Sequence, residues 1–190
     1  INNYGSDALR FALVREVAGA GQDIRLDYDR KNKTSSTVEA SRNFANKLWN
    51  ATKFVLMNCS SSQVELKKSN YDLTDQWILS KLNRTKKELH NLLSSYKLGE
   101  SAKLIYEFAW NDFCDWYLEF QKIRFNNPEF KNRILSESLL KEILDNILTM
   151  MNPFMPHLTE ELWHSLHVGT DEILLSLQRW PSIVEKYLDD

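Results

Sequence analysis

Glycine and proline are scarce, with five and four copies in 190 residues. So few breakers do not suit a sandwich of short strands joined by tight turns. Long helices with few connections are expected instead. The two cysteines, Cys59 and Cys114, show no paired-ligand spacing and are too few for a disulfide framework, which suits a reducing cytosol. No apolar run approaches the roughly 20 residues of a membrane span. The opening "INNYGSDALRF" has no signal-peptide pattern and no initiator methionine. A cytoplasmic location, no membrane partner and excision from a longer chain are therefore expected.

Catalytic signatures are missing as well. There is no glycine-rich phosphate loop. His157, His164 and His167 are spaced by seven and three residues without a convincing third ligand, so no metal is expected. Serine, cysteine and histidine do not combine in a nucleophile motif. The stretch "DFCDWYLEF" surrounds Cys114 with acids, which raise a thiol's pKa and make it less reactive. Catalysis within these residues is not expected.

What is present describes one folded unit. Hydrophobic residues make up 43% and charged residues 26%, enough for a single core. Net charge is −2, but it is unevenly spread. From Arg30 to Lys53 there are six cations and one acid, Glu39; from Glu137 onward there are ten acids and three cations. The basic end suits a polyanion, although two ordinary solvated faces would read the same way.

Periodicity predicts an all-α helical bundle with a short mixed connector before it and an extended tail after it. A first helix in "ALRFALVREVAG" should stop at Gly19 and Gly21, followed by "QDIRLDYD" as a strand or extended connector. Ser35 or Ser36 should cap a second helix from about Ser36 to Asn58, with Glu39 near the third position of a capping box. Further helices are expected over about 74–95, 98–126 and 129–151, the last broken by "NPFMP", and then in "HLTEELWHSLH". Residues 59–72 read as a linker. In the tail, Trp180-Pro181 should pack back on the domain. The division is 1–30 as connector and 31–190 as helical domain.

At about 100° per residue, the second helix turns Phe44, Leu48, Ala51 and Val55 inward, flanked by Ala45, Trp49, Thr52 and Leu56. Arg42, Asn46 and Lys53 point to solvent. Asn43, Lys47, Asn50 and Phe54 form a rail along the border of the core. On the fourth helix, Leu98, Ala102, Ile105, Ala109, Phe113, Trp116 and Phe120 make the main apolar stripe, and its breadth suggests a central position. Leu118 faces the other way, beside Asp115 and Glu119. Phe54 and Leu118 are either peripheral core or a stacking platform for unstacked bases. In the second case Asn43, Asn50, Asp115 and Glu119 are positioned to read base edges, amides pairing with adenine and carboxylates accepting from cytosine.

At "YGSDALRF", "GQDIRLD", "SRNFANKLWNATKFVL", "WNDFCDWYLE" and "MNPFMPHLTEELW" the chain resembles the valyl-tRNA synthetase family, in its helical anticodon-binding domain and the preceding connector. The resemblance spans nearly the whole chain. It implies a parent that attaches valine to its tRNA using ATP and Mg, with catalytic and editing domains before Ile1 and a coiled coil after Asp190. The fragment itself would hold no cofactor. Its partners would be the anticodon arm of valine tRNA and the parent's catalytic domain, and it would be a monomer. In the family the anticodon-reading surface uses residues that match Lys47, Phe54 and Leu118 here. An arginine after "DIRL" also contributes; Arg30 stands there, although "KNKTSST" is longer than the loop of some members. The competing reading is a helical protein-interaction scaffold without RNA binding, which should expose a contiguous apolar patch.

Overall fold

The computed structural model describes residues 3–17, 24, 26–60, 71–169 and 174–187. The helices are α1 (Ser6–Arg15), α2 (Ser36–Asn58), α3 (Leu73–Ser94), α4 (Leu98–Glu107), α5 (Leu118–Asn126), α6 (Arg133–Met151) and α7 (Pro156–Leu166). Between α4 and α5, residues Phe108–Tyr117 continue the helix with π-type turns, so Leu98 to Asn126 is one unbroken rod. No strand occurs among the described residues. An isolated antiparallel bridge, Asp29 to Thr34, closes the loop before α2. Leu26–Tyr28 are not a strand, and most of "QDIR" lies outside the described residues, as do Gly19 and Gly21. Most of the expected linker, 61–70, also lies outside them.

The breaker-poor sequence produces the long helices, and local chemistry sets their ends. Asp72 caps α3 in a reciprocal box with Asp75. Ser35 caps α2, its hydroxyl accepting from the Val38 amide at 3.3 Å. Glu39 does not complete a box there, because it sits one residue too far along; it pairs with Arg42 at 3.2 Å. A longer-range cap is stronger. The Asp27 carboxylate accepts from the Ser36 amide at 2.6 Å, the Thr37 amide at 3.1 Å and the Thr37 hydroxyl at 2.6 Å. Those bonds, the Thr37 hydroxyl's first, hold its carboxyl well below the usual range.

The largest core cluster joins α2, α3, the long rod and α6, with Phe11 of α1 fully inside it. The most enveloped helix is α6. Leu139, Leu140, Ile143, Leu144, Ile147, Leu148, Met150 and Met151 are all fully buried, on more than one side of it. The segment assigned to the connector packs into this bundle. Asp7 accepts from the Leu158 amide at 2.6 Å, and Arg10 donates to the Pro153 carbonyl at 3.0 Å. Gly99 permits the close approach of α1 to α4, since a Cβ there would lie 2.0 Å from the Val17 carbonyl oxygen.

Four expectations about faces fail. Trp49 and Leu56 are 45% and 46% exposed, because no described element covers that side of α2. Arg42 is not free in solvent but lies over the Tyr4 ring at 5.4 Å. On the rod, Leu98 and Trp116 of the expected stripe are 46% and 58% exposed while Leu118 is 5% exposed, so Trp116 and Leu118 reverse their expected positions. Trp180 stays 39% exposed. The tail nevertheless returns to the bundle by other groups. Lys86 donates to the Ser182 carbonyl at 3.2 Å, and the Val184 amide donates to Asn83 at 2.8 Å. Short 3₁₀ turns, Leu175–Leu177 and Glu185–Tyr187, interrupt its extended path.

The exchange of Trp116 and Leu118 follows from the π stretch. Bonds from i to i+5 widen each turn by about one residue, so the inward stripe advances more slowly than in an α-helix. It passes through Ile105, Ala109, Cys114, Leu118 and Gln121, and all five are buried. Trp116 is rotated out of that stripe.

Candidate nucleic-acid interface

The rail on α2 is present as a border between core and solvent. Asn43 and Asn50 are exposed, and Lys47 and Phe54 are half-buried. The long rod packs beside this rail and supplies its partners. Lys47 forms an ion pair with Asp115, and its Nζ lies 3.9 Å from the centre of the Trp110 ring. Two different attractions therefore fix the ammonium. The ion pair is partly exposed and contributes on the order of 1 kcal/mol.

Phe54 is held one to two turns further along. Its ring stacks on Phe125 of α5 at 6.2 Å between centroids, with the planes 13° apart. Lys122 Nζ sits 5.9 Å from the Phe54 ring centre and pairs with Glu119 at 2.6 Å. Beyond Phe125 lies Arg133, whose guanidinium is 4.7 Å from that ring and donates to the carbonyls of Phe125 and Asn58 at 3.0 and 3.2 Å. Glu137 anchors Arg133 at 2.8 Å and accepts from the Ser60 amide and hydroxyl at 2.8 and 2.7 Å. Phe54 is therefore both a packing residue and a partly open aromatic surface. Lys122, Trp110 and Phe125 are the residues that sequence reading missed here. Lys122 and Phe125 lie three apart on α5, a spacing that places them on one side of a helix.

Leu118 lies behind this surface, not on it. Burial pushes the thiol of nearby Cys114 up to about 12; the Asp115 charge adds to that, while Lys47 and Lys122 act against it. Asp115 and Glu119 remain exposed, each engaged by a lysine. Arg30 is exposed in the loop before α2, at the opposite end of that helix from Phe54. Eighteen residues separate Ser36 from Phe54, about 27 Å of helix. Lys47, Asp115, Glu119 and Phe54 thus share one neighbourhood, and Arg30 stands apart from it.

This surface can hold phosphate through Lys47 and Lys122, stack a ring against Phe54, and present amide and carboxylate edges. Among the described residues, no group of three or more histidines, cysteines or acids could hold a metal ion. No helix among them is long and apolar enough to cross a membrane.

Comparison with known proteins identifies the family. Residues 75–190 match the family described as the anticodon-binding domain of tRNA ligase. A valine–tRNA ligase of Prochlorococcus marinus subsp. pastoris is 65% identical over the whole chain, and one from Synechocystis is 48% identical over the same extent. The chain spans 21% and 22% of those two proteins, about a fifth of their length. Among solved structures, the ternary complex of Agrobacterium radiobacter K84 LeuRS with tRNA and LeuAMS contains the same fold, with a TM-score of 0.69 at 18% identity. It covers 98% of this chain and 20% of that one.

Proposed function

The chain belongs to the family of anticodon-binding domains of tRNA ligases, and on that premise we propose that it is the part of a valine–tRNA ligase that reads the anticodon of valine tRNA. The observation that carries this reading is the α2 rail against the long rod. A half-open Phe54 is stacked on Phe125 with Lys122 beside it; Asn50, Lys47 and Asn43 follow along the same rail, and Asp115 and Glu119 of the rod engage the two lysines, all placed by rigid helices. Lys47 and Lys122 position the phosphate backbone, which carries no sequence information. Phe54 stacks an unpaired base, and Asn43, Asn50, Asp115 and Glu119 offer the donors and acceptors that tell bases apart. Leu118 contributes from below, as the packed support of the Cys114–Asp115 turn. Arg30, in the loop before α2 and far from Phe54, is assigned to the backbone of the stem and not to the bases.

In this reading the fragment binds without aminoacylating. Valine activation, with its ATP and magnesium, belongs to parts of the parent outside this chain. The test is titration of the chain with valine tRNA and with the same tRNA altered at the middle anticodon base, across a salt series. Valine tRNA should bind more tightly at every salt concentration. Each base misread should cost about 1–3 kcal/mol, and both affinities should fall steeply as salt rises. Equal affinity for the two tRNAs would refute base reading.

A further inference from the structure

Around the rod from Phe54, on its α3 side, a cavity of about 490 Å³ opens between Trp77 and Trp116, with Phe120, Leu73 and Asp112 also lining it. Trp116 and Phe120 lie 6.1 Å apart, tilted by 36°. Trp116 owes its exposure to the π stretch; on a regular α-helical pitch it would lie in the buried stripe. Such wide turns recur at functional sites, and here their consequence is an outward-facing indole. A second groove, of about 270 Å³, runs on from the first, sharing Leu73 and Trp77, and is lined further by Ser80, Lys81 and Arg84.

We propose that this cleft is a second base-binding site, taking an unstacked nucleotide that bears an exocyclic amino group, with its phosphate directed into the Lys81–Arg84 groove. The inference rests on the tRNA-binding reading and extends it to a face that reading does not use. The aromatic walls come from two neighbouring helices and suit a flat ring. Asp112 is what selects the class of base. It is mostly buried in the cleft and paired with Lys81 at 3.5 Å, and a carboxylate keeps further acceptor sites after one such pair. The exocyclic amino groups of cytosine, adenine and guanine can donate to it, whereas uracil has none. An apolar peptide helix would fill the same volume but leave that carboxylate desolvated and short of partners, which is unfavourable. The charge of the adjoining groove also favours a phosphate.

The test uses the whole chain and an anticodon stem-loop RNA carrying 2-aminopurine at each loop position in turn. One position other than that quenched through Phe54 should lose fluorescence on binding. Trp116→Ala should restore that signal and weaken binding about tenfold, while Trp116→Phe retains most of both. Asp112→Asn should erase the preference for an amino-bearing base over uracil at that position. Circular dichroism of each variant confirms folding, which an exposed tryptophan does not govern. Binding that depends on Phe54 but is indifferent to Trp116 overturns the cleft and leaves the anticodon reading standing. So does a Trp116→Ala variant that changes only self-association or peptide binding. A wild-type chain that binds no stem-loop at all refutes the anticodon reading itself.

Discussion

Phe54 serves both as packing and as a platform, and substitution can separate the two. It stacks on Phe125, so Phe54→Ala must cost some stability, though less than the roughly 3–5 kcal/mol of a fully buried phenylalanine. It should also cost about 1–3 kcal/mol of tRNA affinity through lost stacking. Phe54→Leu fills most of the space without an aromatic face, so it should keep stability close to wild type and still bind weakly. Thermal unfolding and titration on the same samples decide the matter. Unchanged binding per folded molecule would leave Phe54 a packing residue alone. At this scale the sequence was legible where the helix is regular. Asn43, Lys47, Asn50 and Phe54 stand on the border of the core as their spacing requires, because α2 keeps one pitch throughout. Leu118 and Trp116 were not legible, since the angular reading assumed that pitch through the π turns. Trp49 and Leu56 misled for another reason: apolar residues at helical spacing do not reveal whether any neighbour covers them.

Among the elements, α2 carries most of the proposed interface, and its first turn depends on a residue eight positions before its cap. Asp27 holds the amides of Ser36 and Thr37 and receives the hydroxyl of Ser35 at 3.2 Å. Its folded pKa is depressed, so the sign is fixed. The contribution is present above the ordinary carboxylate pKa of about 4 and is lost as pH falls through the depressed folded value. Asp27→Ala should remove it at neutral pH. Amide exchange at Ser36 and Thr37 should then quicken severalfold, while exchange near Leu48 and Val55 stays slow. Uniform acceleration along α2 would mean that Asp27 supports the whole helix and not its end; no change at all would mean that the Ser35 cap suffices. A serine before an apolar-periodic run announces a helix start, so the Ser35 cap was readable. Asp27 was not, because its hydrogen bonds cross a folded loop and leave no fixed spacing in the chain. The same limit applies to the rod. Its length was readable from residues 100–126, which hold no glycine or proline, whereas its wide turns were not.

For the molecule as a whole, the all-α class follows from long periodic segments and few breakers, but which helix lies innermost depends on neighbours that no single segment encodes. The rod looked central from its apolar breadth, yet α6 is more completely enclosed. The rod is instead tied to α3 by a buried polar cluster. Arg124 donates to Asp75 at 2.7 Å and also engages Asp72 and Thr74, while the Tyr117 hydroxyl donates to the same Asp75 oxygen at 3.0 Å. Arg124 is 11% exposed and Asp75 5%, so the charges are satisfied by each other and hardly by water. Arg124→Leu would strand the Asp75 carboxylate, and breaking such a pair costs about 3–5 kcal/mol, a large share of a typical 5–15 kcal/mol domain stability. Adding Asp75→Asn removes the stranded charge and should return part of the loss. Partial burial pushes the Asp72 carboxyl up, but the Asp75 backbone, the Thr74 hydroxyl and the Arg124 charge together hold it below its ordinary value. Its contribution is therefore complete above that value and fades as pH falls through the folded one, so the acid limb of unfolding should begin at a higher pH once Arg124 is gone. Urea denaturation across pH measures both effects. A single-variant loss below about 1 kcal/mol would place this cluster with ordinary surface pairs. The expected large loss, with tRNA affinity per folded molecule unchanged, would separate the residues that hold the rod on α3 from those that meet RNA along α2.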